Sequence, residues 1–178
     1  ESSDQLYKLL DNLLQWARAQ LNQIDPKPEQ IAIGGLINNC VLLYKNIALS
    51  KNIRIEFDPE CSLFAYADQG MVETIIRNLL SNAIKFTPGG GVIKIIVSRV
   101  EKEVEINISD SGIGMSDEEQ NKIFKIDGRL QKNGTASEHG SGLGLIICKE
   151  FVERNQGSIR LRSKVGEGSQ FTITLPEG

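Results

Sequence analysis

The chain has 178 residues, 40% of them hydrophobic and 24% charged, with a formal net charge of −3. It can bury one core, and its mild acidity argues against general attraction to nucleic acid or anionic membrane, so any basic function must be local. Three widely spaced cysteines, Cys40, Cys61 and Cys148, argue against a disulfide framework or a zinc site and fit a reducing cytosol, and no signal peptide or apolar run approaching ~18 residues occurs. The chain itself is therefore expected neither to span a membrane nor to be secreted, although a piece of a membrane receptor would look the same.

Residues 4 to about 24 read as one helix, with Leu6, Leu9, Leu13 and Trp16 at coiled-coil-like steps. At ~1.5 Å per residue it is roughly 30 Å long and wants helical neighbours. Asp25-Pro26-Lys27-Pro28 stops it and reads as a linker, which divides the chain into residues 1–25 and 26–178. Gln30 to Ile33 then reads as a short strand, and Leu36, Ile37, Cys40, Tyr44, Ile47 and Ala48 mark the apolar face of a helix ending near Lys51. Ile53, Ile55 and Phe57 alternate with charges in a strand closed by Asp58-Pro59, and Leu63 to Tyr66 forms another. Asp68 is placed to cap a helix that runs to about Phe86, where Thr87-Pro88-Gly89-Gly90-Gly91 ends it in a turn.

Val92 to Val100 and Val104 to Asp110 are β-rich runs joined through Glu101-Lys102-Glu103 as a hairpin. Asp117 to Phe124 is a short helical turn, and Lys125 to His139 is polar and without periodicity, the character of a disordered stretch or a functional lid. Gly142 to Asn155 forms a helix with Leu143, Ile146, Ile147, Phe151 and Val152 as its apolar members and Gly157 placed to cap it. Strands Ser158 to Lys164 and Ser169 to Leu175 close the chain. The order predicts an α/β fold: a two-layer sandwich of a mixed, mostly antiparallel sheet covered on one face by three helices, plus the N-terminal helix.

Three stretches carry chemistry. Asn78, Asn82 and Lys85 fall at i, i+4 and i+7, so two carboxamides and an ammonium share one helix face beside the apolar Leu79, Ala83 and Phe86. An Asn carbonyl can ligate a hard cation, and a Lys suits phosphate; taken alone, the stripe also reads as a wet helix face. Asp110-Ser111-Gly112-Ile113-Gly114-Met115 puts a carboxylate at a strand end before two glycines. Such a carboxylate can accept the exocyclic amine of adenine, a bond worth roughly 1.5–3 kcal/mol and enough to prefer adenine over guanine. Gly140-Ser141-Gly142-Leu143-Gly144-Leu145 differs from the dinucleotide fingerprint and lacks the strand that should precede it, and no Walker A loop occurs.

In that order, the three stretches resemble the N box and the two glycine boxes of the Bergerat-fold ATP-binding domain, most closely that of sensor histidine kinases. The resemblance covers residues 26 to 178. It implies ATP and Mg2+ as cofactors and transfer of the γ-phosphoryl to a histidine on a dimerisation helix absent from this chain. It further implies a response-regulator receiver domain as partner, a homodimeric parent, no nucleic acid, and a cytoplasmic site, including the cytoplasmic portion of an inner-membrane sensor.

By the same resemblance, Asn82 ligates Mg2+ with Asn78 assisting, and Lys85 contacts phosphate; these three are the catalytic set. Phe86 lies by the nucleotide, Asp110 takes the adenine amine, and Gly112 and Gly114 supply positive φ or lack of bulk. Gly140, Ser141, Gly142, Leu143 and Gly144 present N–H groups to the phosphates at a helix N-terminus. Phe124 matches the phenylalanine of a lid over about residues 116–141, with Asp127 where a second aromatic is usual and Arg129 or Lys132 as lid cations.

The sole histidine, His139, precedes a glycine turn instead of sitting on a helix, so it is read as structural. Residues 4–24 resemble the second helix of the phosphoacceptor hairpin, so the chain is expected to be a fragment unable to autophosphorylate alone. Two alternatives stay open: a Bergerat-fold ATPase, many of which carry Glu where Asn78 stands, and a degenerate module that binds nucleotide or a partner without transferring phosphate.

Overall fold

A computed structural model describes residues 25–125, 134–136 and 142–178. The expected helix over residues 4–24 lies outside them. In chain order the elements are β1 (Glu29–Ala32), α1 (Ile33–Ser50), β2 (Arg54–Glu56), β3 (Phe64–Ala67), α2 (Gln69–Phe86), β4 (Val92–Val100), β5 (Glu103–Asp110), α3 (Asp117–Lys122), α4 (Gly144–Arg154), β6 (Ser158–Lys164) and β7 (Gly168–Pro176).

A five-stranded sheet runs in the order β2-β4-β5-β7-β6, parallel only between β2 and β4. The first two strands of the chain do not both join it. β1 pairs antiparallel with β3 as a separate ribbon, tied to the chain end by a single bridge from Ala65 to Glu177. Between β4 and β5 the hairpin turn is two residues long, Val100 pairing with Glu103, and Glu101 takes the positive φ of 57° that so tight a turn demands.

Alternation along the strands sends Ile93 and Ile95 of β4, and Val104, Ile106 and Ile108 of β5, into the core. Ile75, Ile76, Leu79 and Leu80 of α2 and Ile147, Phe151 and Val152 of α4 belong to the same buried cluster. Burying each such side chain contributes about 1.5–3 kcal/mol, so the apolar face of α2 fixes which way its polar stripe points. α1 adds Ile33, Leu36, Ile37, Cys40 and Ala48. Ile47, expected on that apolar face, is instead 51% exposed beside Leu43, because the packed stripe ends its last turn on Ala48.

The ends of α2 and α4 are locked to each other. Asp68 caps α2 through Oδ1, which accepts from Met71 N at 2.9 Å. Its own N–H donates to Asn155 Oδ1 at 2.6 Å, while Asn155 Nδ2 donates to Phe151 O at 2.7 Å. Only 5% of Asn155 is exposed. Asn155→Ala leaves these groups unsatisfied and is expected to cost about 2 kcal/mol, a melting temperature lower by about 5 °C in thermal denaturation.

Gly157 caps α4 as expected, but the left-handed residue is the one before it. Gln156 takes the left-handed conformation at φ 59° and bonds Glu153 O, while the Gly157 N–H closes the outer bond to Val152 O at 3.0 Å. Glycine is needed one position later for another reason: a Cβ at Gly157 would sit 2.0 Å from Thr174 O of β7.

Candidate functional site

The start of α2 meets the end of α4, and Asn78 in mid-α2 meets Gly144 at the start of α4, so the two helices run antiparallel. A Cβ at Gly144 would stand 3.1 Å from Asn78 Oδ1. One turn further along α4, Cys148 hydrogen-bonds the Asn78 side chain and reaches Ile75 O at 3.8 Å. Burial pushes the Cys148 thiol up to about 12, so it stays neutral, its S–H directed at Ile75 O and its sulfur accepting from the Asn78 amide. Sequence reading placed Asn78 in the stripe correctly but missed this partner, because a cysteine on an apolar helix face gives no signal beyond core.

Asn82, one turn on, is half-buried, and its side chain makes no hydrogen bond with another described residue. Lys85 Nζ lies 4.8 Å from the centroid of the Phe86 ring, over its face.

At the end of β5, Asp110 Oδ1 accepts from Gly112 N at 2.8 Å and from Ser169 N at 3.2 Å. Oδ2 accepts no hydrogen bond among the described residues. Burial is the largest influence on this carboxyl and pushes it up to about 6, against the lowering effect of the two backbone N–H groups. The carboxylate is thus clamped by one oxygen and offers the other.

Gly112 is needed for close approach: a Cβ there would meet Asp110 Oδ1 at 2.5 Å and Phe86 O at 2.6 Å. Beside it Ile113 N donates to Phe86 O at 3.1 Å, which joins the loop after Asp110 to the end of α2. Gly114 serves a different neighbour, since its Cβ would fall 1.9 Å from Lys164 O. Sequence reading made Ser169 only the start of the last strand, with Gly168 just before it. The register that pairs Asp110 with Ser169 makes them part of the site, and a Cβ at Gly168 would lie 1.9 Å from Asp110 O.

The helix after the second glycine cluster begins at Gly144, two residues later than expected, with Gly142 at φ 70° before it. Leu143 is 3% exposed, so its side chain joins the core. The N-cap residue Leu143 makes no side-chain capping bond, and a helix N-terminus suits an anion. Gly140 and Ser141 lie outside the described residues, as do Asp127, Arg129, Lys132 and His139. Of the expected lid, α3 is held by a reciprocal cap between Ser116 and Glu119, and Phe124 packs half-buried against the core. No group of three or more His, Cys, Asp or Glu among the described residues could hold a metal by itself.

A model of the family described as histidine kinase-, DNA gyrase B-, and HSP90-like ATPase matches residues 67–178. The chain belongs to this ATPase family. Among curated relatives, the sensor-like histidine kinase SenX3 of Mycolicibacterium smegmatis is 31% identical over 98% of the chain and 46% of its own length. The adaptive-response sensory kinase SasA of Synechocystis is 32% identical over 95% of the chain and 44% of its own length. The chain thus spans less than half the length of these relatives.

Among solved structures, the catalytic domain of histidine kinase ThkA superposes with a TM-score of 0.72 at 25% identity, over 85% of the chain and 96% of that domain. Full-length ShkA in complex with AMPPNP gives 0.83 at 26% identity, over 100% of the chain and 37% of ShkA. This member of the ATPase family is therefore homologous to the ATP-binding catalytic domains of sensor histidine kinases, and its mixed sheet under three long helices is their fold.

Proposed function

We propose that the chain holds Mg·ATP and presents the γ-phosphoryl group to a histidine on a dimerisation helix of its homodimeric parent, which then serves a response-regulator receiver domain. Asp110 carries this reading: a half-buried carboxylate held through Oδ1, with Oδ2 open to an amine donor, stitched through Gly112 and Ile113 to the end of the Asn-bearing helix. An adenine amine satisfies that oxygen, whereas the guanine carbonyl opposes it. Kinship with ShkA, whose structure contains AMPPNP, supports the same ligand. ATP as substrate puts the domain on the cytoplasmic side, and no helix among the described residues is long and apolar enough to cross a membrane.

The residues fit Mg2+ as a companion of the nucleotide. Asn82 offers a hard carbonyl oxygen with no described partner, Asn78 stands one turn away, and phosphate oxygens would supply the remaining ligands. Bound there, the ion would neutralise phosphate charge. Lys85 adds a cation on the same face, and the N-terminus of α4 adds backbone donors. Positioning and charge neutralisation are the whole of this chemistry, because Asn78 is an amide turned toward Gly144 and Cys148 where a hydrolytic relative needs a carboxylate to activate water.

The test is phosphotransfer. The chain is mixed with γ-labelled ATP, Mg2+ and the parent's histidine-bearing helical hairpin. Acid-labile, alkali-stable label on the hairpin is expected. Release of inorganic phosphate at a comparable rate, with an unlabelled hairpin, would contradict transfer and favour an ATPase.

A further inference from the structure

The last carbonyls of α2 have no helical partners of their own, yet each of the four from Ile84 to Thr87 is taken by a distant segment. Lys51, the residue that caps α1, sends its ammonium to Ile84 O at 2.8 Å and Lys85 O at 3.3 Å. A cation at a helix C-terminus is favoured by the helix dipole. The same ammonium donates to Thr135 Oγ1 at 2.8 Å. Thr135 in turn bonds Lys85 O through its own N–H at 3.0 Å, and its hydroxyl lies 3.1 Å from Lys85 O and 3.0 Å from Thr87 O. Phe86 O is bonded by Ile113 N, next to the glycine that touches Asp110.

Three separated parts of the chain therefore converge on one turn of helix: the end of α1, the loop that follows Asp110, and Gly134 to Ala136 from the middle of the polar stretch. Lys85 and Phe86, whose side chains face the proposed nucleotide, have their backbone carbonyls in that junction.

We propose that Lys51 and Thr135 are positioning residues for nucleotide binding: the ammonium–hydroxyl pair ties residues 134–136 to the last turn of α2 and so holds Lys85 and Phe86 in the geometry that receives ATP. Neither residue need touch the nucleotide. The inference rests on the ATP-binding reading above. Lys51 is doubly suited to the task, because Asn52 beside it takes φ 55° and Ile53 N bonds Ala48 O, which locks the end of α1 and fixes where the lysine stem starts. Thr135 accepts from the lysine and donates to a carbonyl, so a hydroxyl is required and a methyl is not enough.

The experiment is a calorimetric titration of Mg·ATP into the wild-type chain, Lys51→Met, Thr135→Val, the double variant and Thr135→Ser, with a thermal melt of each. Each of the first two substitutions is expected to weaken ATP binding roughly tenfold with the melt shifted by no more than about 2 °C. The double variant is expected to be no weaker than the worse single by more than about twofold, since both break one linkage. Thr135→Ser restores binding to near wild type, a rescue that loss of packing alone would not give.

Binding of Lys51→Met and Thr135→Val at wild-type affinity would overturn the proposal while leaving the ATP site standing. So would independent, multiplying losses in the double variant, or a serine variant as weak as the valine one. Absence of ATP binding by the wild-type chain would instead sink the nucleotide reading, and this inference with it.

Discussion

Asp110→Asn should produce a chain that is more stable than wild type and no longer selects ATP. Asp110 Oδ1 is fixed by the Gly112 and Ser169 N–H groups, so an asparagine must place its carbonyl oxygen there and its NH2 where Oδ2 was. That turns a donor toward the adenine amine. A charge-assisted bond worth roughly 1.5–3 kcal/mol is replaced by a donor–donor clash, and ATP affinity falls about 100-fold, to the level of GTP.

Stability moves the other way. Burial holds the folded Asp110 carboxyl at about 6, above its ordinary 3.8, so the fold favours the neutral form. The stability this group contributes is fully present below its unfolded pKa and is lost as pH rises through 6; at neutral pH the charge is a burden that Asn removes. A gain of about 1–3 kcal/mol is expected, visible as a raised melting temperature at pH 7.5 that shrinks toward pH 4. The same ionisation governs the ligand. Wild-type ATP affinity should fall as pH drops through about 6, because a protonated carboxyl no longer accepts the amine, whereas Asp110→Asn should show no such step. A destabilised Asn variant, or one that still prefers ATP, would contradict the role given to Asp110.

Asn82→Ala is expected to erase the Mg2+ dependence of ATP binding. With no acidic cluster among the described residues to hold the ion, Mg2+ alone should give no heat with the wild-type chain. Added with ATP, it should tighten wild-type binding roughly 30-fold, about 2 kcal/mol, and leave the alanine variant unchanged. Because the Asn82 side chain makes no hydrogen bond with another described residue, the variant's melting temperature should stay within about 2 °C of wild type. An alanine variant with the full Mg2+ effect would remove Asn82 from the site.

Periodicity alone gave away most of the elements. The apolar members of α4 named from spacing, Leu143, Ile146, Ile147, Phe151 and Val152, are all buried, and Asp68 caps α2 as its residue type and position suggest. The polar stripe of Asn78, Asn82 and Lys85, the candidate site residues of α2, was legible for the same reason, since helical spacing alone puts them on one face. What escaped is everything set by register or by contact at a distance in sequence. Ser169 reaches Asp110 only because β5 and β7 pair at that position, 59 residues apart. Lys51 looked like the end of a helix, and Thr135 like one polar residue among many; their bond spans 84 residues. Ile47 was misassigned, and Gly157 caps α4 as expected but with Gln156 in the left-handed position, since the phase of the last helical turn and the choice of which residue turns left-handed depend on the neighbours each end meets.

The central claim, that this fold carries an adenine-selective nucleotide site built on Asp110, is tested most directly by calorimetric titration of the wild-type chain with ATP and with GTP at pH 7.5 in the presence of Mg2+. ATP should bind with saturable heat at one site per chain and GTP at least tenfold more weakly. No heat with millimolar ATP, or equal affinity for the two nucleotides, would contradict it.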